Sequence, residues 1–358
     1  MTTAETAPAA VNVDNRAENV LEVENLKVYY DTDAGQVKAV DDVSFTLKRG
    51  ERMGLVGESG SGKTTMAMAL MRLHKPPAII AGGNVRLDGV SLLDLNDEQM
   101  RQTRLRDIAL VPQGAMNSLN PVYRVRDQII DGIKHHTPRD EMLNKGAVSE
   151  RVVELLNSVG LDASVADMYP HELSGGMKQR VALAIATSLR PKMILADEPT
   201  SALDVVVQRQ IMLTLEQLQQ EMEASVLLVG HDMGLMAQFA DVLGVMYAGH
   251  LVEFAPIEEV FRNPKHPYTK KLISSLPDIQ VKGTFTGIEG LPPTLVIPPP
   301  GCRFHPRCPI YNNDEDFRDE FVDIRGSLNT DLCTTVDPHL NEIEPRRWVA
   351  CHMYGEDA

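Results

Sequence analysis

Over residues 20–30 apolar and polar positions alternate (Leu21, Val23, Leu26, Val28), and the same two-residue period returns over residues 40–47 after a turn signal at Gly35. This pattern predicts a pair of antiparallel strands. Short continuous apolar runs follow at residues 52–56, 108–111, 193–196 and 226–229. Such runs predict strands buried on both faces, as in a parallel sheet covered by helices. Between them Val152, Leu155, Leu156 and Val159 share one helical face, and Ile211, Leu215, Leu218 and Met222 share another. The alternation predicts an α/β core.

The texture changes after Pro256. Asn263-Pro264, His266-Pro267, Leu291-Pro292-Pro293 and Pro298-Pro299-Pro300 interrupt any period, and proline at this density breaks helices and excludes central strands. The expected organisation is a loose tail over residues 1–19, a core over residues 20–260 and an extension over residues 261–358.

Composition narrows the classes. The chain has 358 residues, 43% hydrophobic and 24% charged, ordinary proportions for a globular protein that buries a core. Thirty-five Lys plus Arg against fifty Asp plus Glu leave a net charge of −15, which argues against a binder of nucleic-acid backbones. No nucleic-acid partner is expected. Residues 1–19 lack a basic start followed by an apolar block, so they do not read as a secretory signal. The most apolar stretches, such as residues 181–189, are too short to span a bilayer.

Gly57-Glu58-Ser59-Gly60-Ser61-Gly62-Lys63-Thr64 fits G-x4-G-K-[ST], placed after an apolar strand and before a helical stretch starting near Thr65. Its glycines let backbone N–H groups turn toward phosphate oxygens, with a helix N-terminus behind them. Lys63 then neutralises the β/γ-phosphates and Thr64 offers a hydroxyl to Mg²⁺. At the end of the run Met193-Ile194-Leu195-Ala196 stand Asp197 and Glu198, at the carboxyl end of a buried strand, where ligands of open parallel sheets sit. Asp197 is expected to orient Mg²⁺ and Glu198 to polarise the attacking water. The bland alternative for this pair is a strand running into a solvated acidic turn.

Further along come Leu173-Ser174-Gly175-Gly176-Met177-Lys178-Gln179-Arg180, Gln113 after Val111-Pro112, Ser201-Ala202-Leu203-Asp204, and His231 after the fourth apolar run. With the phosphate loop and the acidic pair, these segments resemble the nucleotide-binding subunits of ATP-binding cassette transporters over residues 20–255. The resemblance implies a P-loop NTPase fold with an antiparallel β subdomain, a parallel-sheet core and a helical subdomain over about residues 114–180. It implies ATP and Mg²⁺ as ligands, with ATP between one chain's phosphate loop (Gly57, Ser59, Gly60, Ser61, Gly62, Lys63, Thr64, Thr65) and Ser174, Gly175 and Gly176 of a facing chain.

The same resemblance puts Tyr30 on the adenine, Gln113 on Mg²⁺ and the water, His231 on the γ-phosphate and Glu198, and Asp204 at the junction of two domains. Each has a plainer alternative: Tyr30 as a half-buried strand aromatic, Gln113 as a loop amide, His231 as a structural strand-end histidine, Asp204 as a helix N-cap.

All four cysteines, Cys302, Cys308, Cys333 and Cys351, stand in C-x5-C-x24-C-x17-C. Thiolates of one domain can hold zinc or an iron–sulfur cluster, zinc usually through tighter pairs, and plain buried thiols remain an alternative. His266-Pro267-Tyr268-Thr269 and the segment from Gly301 to Pro309 resemble the C-terminal region of oligopeptide/dipeptide importer ATPases. There the resemblance implies a four-iron four-sulfur cluster on the four cysteines, with Zn²⁺ second. The long gap before Cys333 exceeds the family spacing and leaves His305, His339 or His352 as substitutes.

The resemblance also implies partners: two transmembrane permease subunits, a second and non-identical ATPase subunit, and an extracytoplasmic solute-binding protein. The chain is then a peripheral ATPase at the cytoplasmic face of the cell membrane, energising import of peptides or related solutes. Alternatives are a ribosome- or DNA-associated cassette, a nickel or oligosaccharide importer, and an ATP-driven iron–sulfur redox enzyme.

Overall fold

The computed structural model describes residues 18–114, 117–137, 145–276, 288–312 and 330–354. Most of the expected N-terminal tail and the acidic stretch before Cys333 lie outside these residues. The strands are β1 (Asn19–Thr32), β2 (Gly35–Lys48), β3 (Arg52–Val56), β4 (Ala78–Leu87), β5 (Val90–Ser91), β6 (Ile108–Val111), β7 (Met193–Asp197), β8 (Ser225–Val229), β9 (Val242–Tyr247), β10 (His250–Pro256), β11 (Asn341–Glu344) and β12 (Arg347–Val349). The helices are α1 (Lys63–Leu70), α2 (Asp97–Thr103), α3 (Val125–Lys134), α4 (Lys145–Ser158), α5 (Gly175–Ala186), α6 (Val205–Met222), α7 (Met233–Phe239), α8 (Ile257–Arg262), α9 (Pro267–Ser274) and α10 (Thr330–Thr335).

Two sheets organise them. One is antiparallel in the order β2-β1-β4-β5; the other runs β11-β12-β10-β9-β3-β8-β7-β6. In the second, β9, β3, β8, β7 and β6 are parallel neighbours, and β10 and β12 pair antiparallel on its far side. The continuous apolar runs arise because both faces of this sheet are covered. Met53, Met193, Leu195, Leu227 and Val229 face the antiparallel sheet and α1, whereas Val56, Ile194, Ala196, Val226 and Leu228 face the helices on the opposite side. A strand has a two-residue period, so covering both sides demands apolar residues at every position. Each fully buried aliphatic side chain contributes about 1.5–3 kcal/mol.

Helix starts are capped where the chain carries short polar side chains. Ser174 accepts from the Met177 N–H, Asp204 from Val207 and Asp232 from Leu235, setting the first turns of α5, α6 and α7. These same turns border the chemistry below.

The extension is not an appendage beside the core. Its β12 pairs with β10 through Glu253↔Val349 and Phe254↔Trp348, and β11 pairs with β12. Proline stays out of both: Pro345 stands in the turn between β11, the edge strand, and β12. No helix among the described residues is long and apolar enough to cross a membrane.

Candidate nucleotide site

The phosphate loop leaves β3, which lies between β9 and β8 in the parallel group, and enters α1 at Lys63. Two of its glycines are obligatory. Gly57 (φ 148°) and Gly62 (φ 105°) hold left-handed backbone, and a Cβ there would lie 2.1 Å from the Met246 carbonyl oxygen and 2.0 Å from that of Ala39. The loop is thus pressed against β9 and β2. Lys63 curls back into it: Nζ donates to the carbonyl oxygens of Gly57 (2.8 Å) and Glu58 (2.9 Å) and lies 3.3 Å from Ser61 Oγ. Burial pushes the Lys63 pKa down, against the pull of Glu198, Asp197 and Glu58.

Thr64 donates its hydroxyl to Asp197 Oδ1 at 3.1 Å across the gap between α1 and β7. Asp197 is fully buried, and its Oδ2 has no hydrogen-bond partner among the described residues. Desolvation raises its pKa, opposed by the Thr64 hydrogen bond. A buried carboxylate oxygen without a partner, beside a threonine hydroxyl, is the donor set a hard divalent cation takes. The residues fit Mg²⁺, which Thr64 and Asp197 would hold.

Glu198 follows with a left-handed backbone (φ 45°), and its N–H donates to the Val229 carbonyl oxygen of β8 at 2.9 Å. Its carboxylate accepts from Gln113 Nε2 at 2.9 Å and lies 3.5 Å from His231 Nδ1. Three loops after β6, β7 and β8 therefore meet at one carboxylate. Lys63, Thr64, Asp197, Glu198, Gln113 and His231 form one constellation at the carboxyl ends of the sheet. Tyr30 joins from the antiparallel sheet, its hydroxyl 3.0 Å from Thr65 Oγ1.

Ser174, Gly175 and Gly176 start α5 and look elsewhere. Ser174 bonds within its own helix, and a Cβ on Gly176 would meet Val207 Cγ1 of α6 at 2.8 Å. Asp204 caps α6 beside them.

Sequence reasoning passed over residues that the fold brings to this site. Glu58 of the loop is held by Arg307 and Tyr268 of the extension. Asp41 lies between Tyr29, Arg303 and His250. Burial alone would raise the Asp41 pKa, but hydrogen bonds from His250 and Tyr29 and the Arg303 charge hold it well below the usual carboxylate range. Arginines inside a proline- and cysteine-rich segment were the only signal, overshadowed there by the cysteines.

The cysteines require a correction. Cys302, Cys308, Cys333 and Cys351 do line one cavity, but its volume is about 20 Å³, room for little more than a water. Among the described residues no group of three or more His, Cys, Asp or Glu side chains is arranged to hold a metal ion. The expected iron–sulfur cluster, and the zinc alternative, are therefore overturned. Burial pushes the thiol of Cys302 up to about 12 and that of Cys308 up to about 11, and raises those of Cys333 and Cys351. Burial thus favours the neutral thiol when no cation is bound. Of the histidine substitutes, His305 and His352 line the same small cavity with one ring nitrogen of each bonded to a backbone oxygen, of Cys302 and Val336 respectively, while His339 stands in a different cavity, beside Trp348. Cys302, Cys308 and Cys351 pack with the apolar core as small apolar groups.

A G-x4-G-K-T loop leaving an inner strand of a parallel sheet, with an acidic pair at the end of a nearby parallel strand, defines a P-loop nucleotide-binding protein. Comparison with known proteins narrows this. Residues 40–201 match the profile of the ABC transporter family, and residues 252–313 that of the oligopeptide/dipeptide transporter C-terminal region. A Brucella abortus protein named for peptide import ATP binding is 46% identical over 294 residues, covering 81% of this chain and 87% of that protein. The dipeptide transport ATP-binding protein DppD of Haemophilus influenzae is 39% identical over 336 residues, covering 93% and 95%. Among solved structures, a dimeric post-hydrolysis state of the ATP-binding cassette MJ0796 bound to ADP and Pi superposes with a TM-score of 0.59 at 28% identity, over 66% of this chain and 98% of that one. The chain belongs to the ABC transporter family, as an ATP-hydrolysing subunit of the oligopeptide/dipeptide importer type.

Proposed function

We propose that this chain hydrolyses MgATP to drive import of peptides through membrane permease subunits, from the cytoplasmic face of the membrane, with a solute-binding protein delivering the cargo outside. The names of its relatives supply the peptide cargo. The observation that carries the hydrolytic part is Glu198, held by Gln113 and facing His231, one residue from a buried Asp197 oxygen with no partner among the described residues.

In this reading the phosphate-loop N–H groups and Lys63 bind the β/γ-phosphates, and the Lys63 ammonium exchanges the carbonyl oxygens of Gly57 and Glu58 for phosphate. Thr64, Asp197 and Gln113 hold Mg²⁺, which when bound neutralises developing phosphate charge. Glu198 accepts hydrogen bonding from the attacking water and orients it in line with the γ-phosphate. His231 holds the Glu198 carboxylate and reaches the phosphate. Tyr30 supports the base. Ser174, Gly175 and Gly176 complete the site of a facing ATPase subunit, a related but unlike chain, with a hydroxyl, N–H groups and the start of α5. The dimeric state of the MJ0796 structure supports that arrangement. Asp204 sits at the junction of the two subunits.

A cleft of about 710 Å³ beside Pro112, lined by Leu119, Tyr123 and Ala182, supports a permease contact. Val122 and Tyr123 are exposed near it, and it adjoins the loop carrying Gln113, so a permease seated there would pull on the residue that holds Glu198. The test is Glu198→Gln in the assembled transporter. MgATP binding is expected to persist while turnover falls by about 10²-fold or more, 2.7 kcal/mol in activation free energy; near-normal turnover would overturn the role of Glu198.

A further inference from the structure

The extension reaches the phosphate loop directly. The loop's one acidic side chain, Glu58, receives both ends of the Arg307 guanidinium, Nη1 to Oε2 at 2.7 Å and Nη2 to Oε1 at 2.9 Å. This is the two-point fork that gives arginine its geometric selectivity. The arginine is itself held: Nε donates to the Glu289 carbonyl oxygen at 2.9 Å, Nη1 lies 3.2 Å from Tyr247 Oη, and the side chain is only 6% exposed. A second hold falls on the same loop residue, whose backbone N–H donates to Tyr268 Oη at 2.9 Å. Tyr268, fully buried on α9, packs against Tyr247 and Phe304 with ring centroids 4.6 and 5.4 Å away. Glu58 is therefore fixed through its side chain by residue 307 and through its backbone by residue 268. Its carbonyl oxygen and that of Gly57 form the cradle in which Lys63 rests.

We infer that the C-terminal extension sets nucleotide affinity by bracing the phosphate loop, with Arg307 and Tyr268 as positioning residues that act through Glu58. The inference rests on the reading of this loop as the nucleotide site. A glycine-rich loop left free would lose conformational entropy on closing round a triphosphate, and a loop already held in shape loses less. Charge adds to this. Glu58 stands close enough for its carboxylate to act on the Lys63 ammonium, and Arg307 cancels it. Without Arg307, a half-buried anion in the loop opposes an incoming polyanion and the loop loses its tether. The two effects have different remedies: neutralising Glu58 removes the repulsion but not the slack.

The experiment is a double-mutant cycle on the full-length chain, reading MgATP dissociation constants by equilibrium dialysis beside thermal unfolding midpoints. Arg307→Met is expected to weaken MgATP binding 10- to 50-fold. Glu58→Gln alone is expected to weaken it less than 5-fold. The double variant is expected to bind at least 3-fold more tightly than Arg307→Met, a non-additivity that general loss of packing does not produce. Tyr268→Phe, which removes only the hydroxyl, is expected to weaken binding 2- to 5-fold. Native affinity in Arg307→Met, or losses that simply multiply in the double variant, would overturn the brace. Lys63→Ala separates the two levels. If it binds MgATP as the native chain does, the nucleotide-site reading fails; if it loses binding while Arg307→Met keeps it, the brace alone fails.

Discussion

Replacing Arg347 by Met tests whether the extension is part of the folding core. Arg347, on β12, is 2% exposed and faces three carboxylates: Glu253 at 3.7 Å, Glu259 at 3.4 Å and Glu344 at 3.3 Å. Glu253, on β10, is fully buried and also accepts the N–H groups of Lys265 and His266, both at 2.9 Å. Methionine keeps most of the apolar stem and removes the charge. Breaking a buried pair by deleting one partner costs about 3–5 kcal/mol, but Glu253 can escape by staying protonated.

That escape has a pH-dependent ceiling. Desolvation already holds the folded pKa of Glu253 above its ordinary value of 4.5, with the two backbone N–H groups pulling the other way. A carboxyl whose folded pKa lies above its unfolded one contributes fully below the unfolded value and loses that contribution as pH rises through the folded value. Keeping it neutral in the variant costs about 1.36 kcal/mol per pH unit above 4.5, roughly 1.4 kcal/mol at pH 5.5 and 4.8 kcal/mol at pH 8. The variant's deficit is therefore about 3–5 kcal/mol at pH 8 and no more than about 1.4 kcal/mol at pH 5.5. With an unfolding entropy of about 2.1 cal/mol/K per residue, these become downshifts in midpoint of about 4–7 °C and under about 2 °C. Differential scanning calorimetry at the two pH values measures both. A drop equal at both pH values, or one below about 1 °C at pH 8, would refute the reasoning.

Two further outcomes follow from the site. Asp197 must be deprotonated to hold a cation, and burial raises its pKa, so Mg²⁺-dependent ATP binding should fall on acidification at a pH above the ordinary Asp value of 3.8, with Mg²⁺-free nucleotide binding much less affected; titration with and without chelator distinguishes them. Ser174→Arg should leave MgATP affinity of the isolated chain within about twofold, because the Ser174 hydroxyl caps its own helix α5, while cutting turnover of the assembled complex by at least about tenfold, 1.36 kcal/mol. Equal loss in both preparations would place that serine in its own chain's site.

Local pattern was enough for the strands that carry the chemistry. A sheet covered on both faces writes itself as unbroken apolar runs, and β3, β6, β7 and β8 fall where those runs stand. The phosphate loop was equally legible, because its glycines meet a steric demand within eight residues: Gly57 and Gly62 leave no room for a side chain. β9 and β10 went unread, since a glycine and a glutamate interrupt their runs, Gly244 tolerated by close packing and Glu253 by an arginine far along the chain.

What only tertiary structure decided is which distant residues meet. Gln113, Glu198 and His231 come together because β6, β7 and β8 are neighbours in the sheet, an order fixed by long-range pairing that no local period encodes. The cysteines show the converse: their clustering in sequence suggested a metal, yet they line a cavity of only about 20 Å³ and no group arranged to hold a metal is found among the described residues. Arg307 and Glu58, 249 residues apart, carry no mutual signal along the chain. Their pairing exists because the extension folds back beside β9, where a buried guanidinium needs a carboxylate and the phosphate loop supplies one.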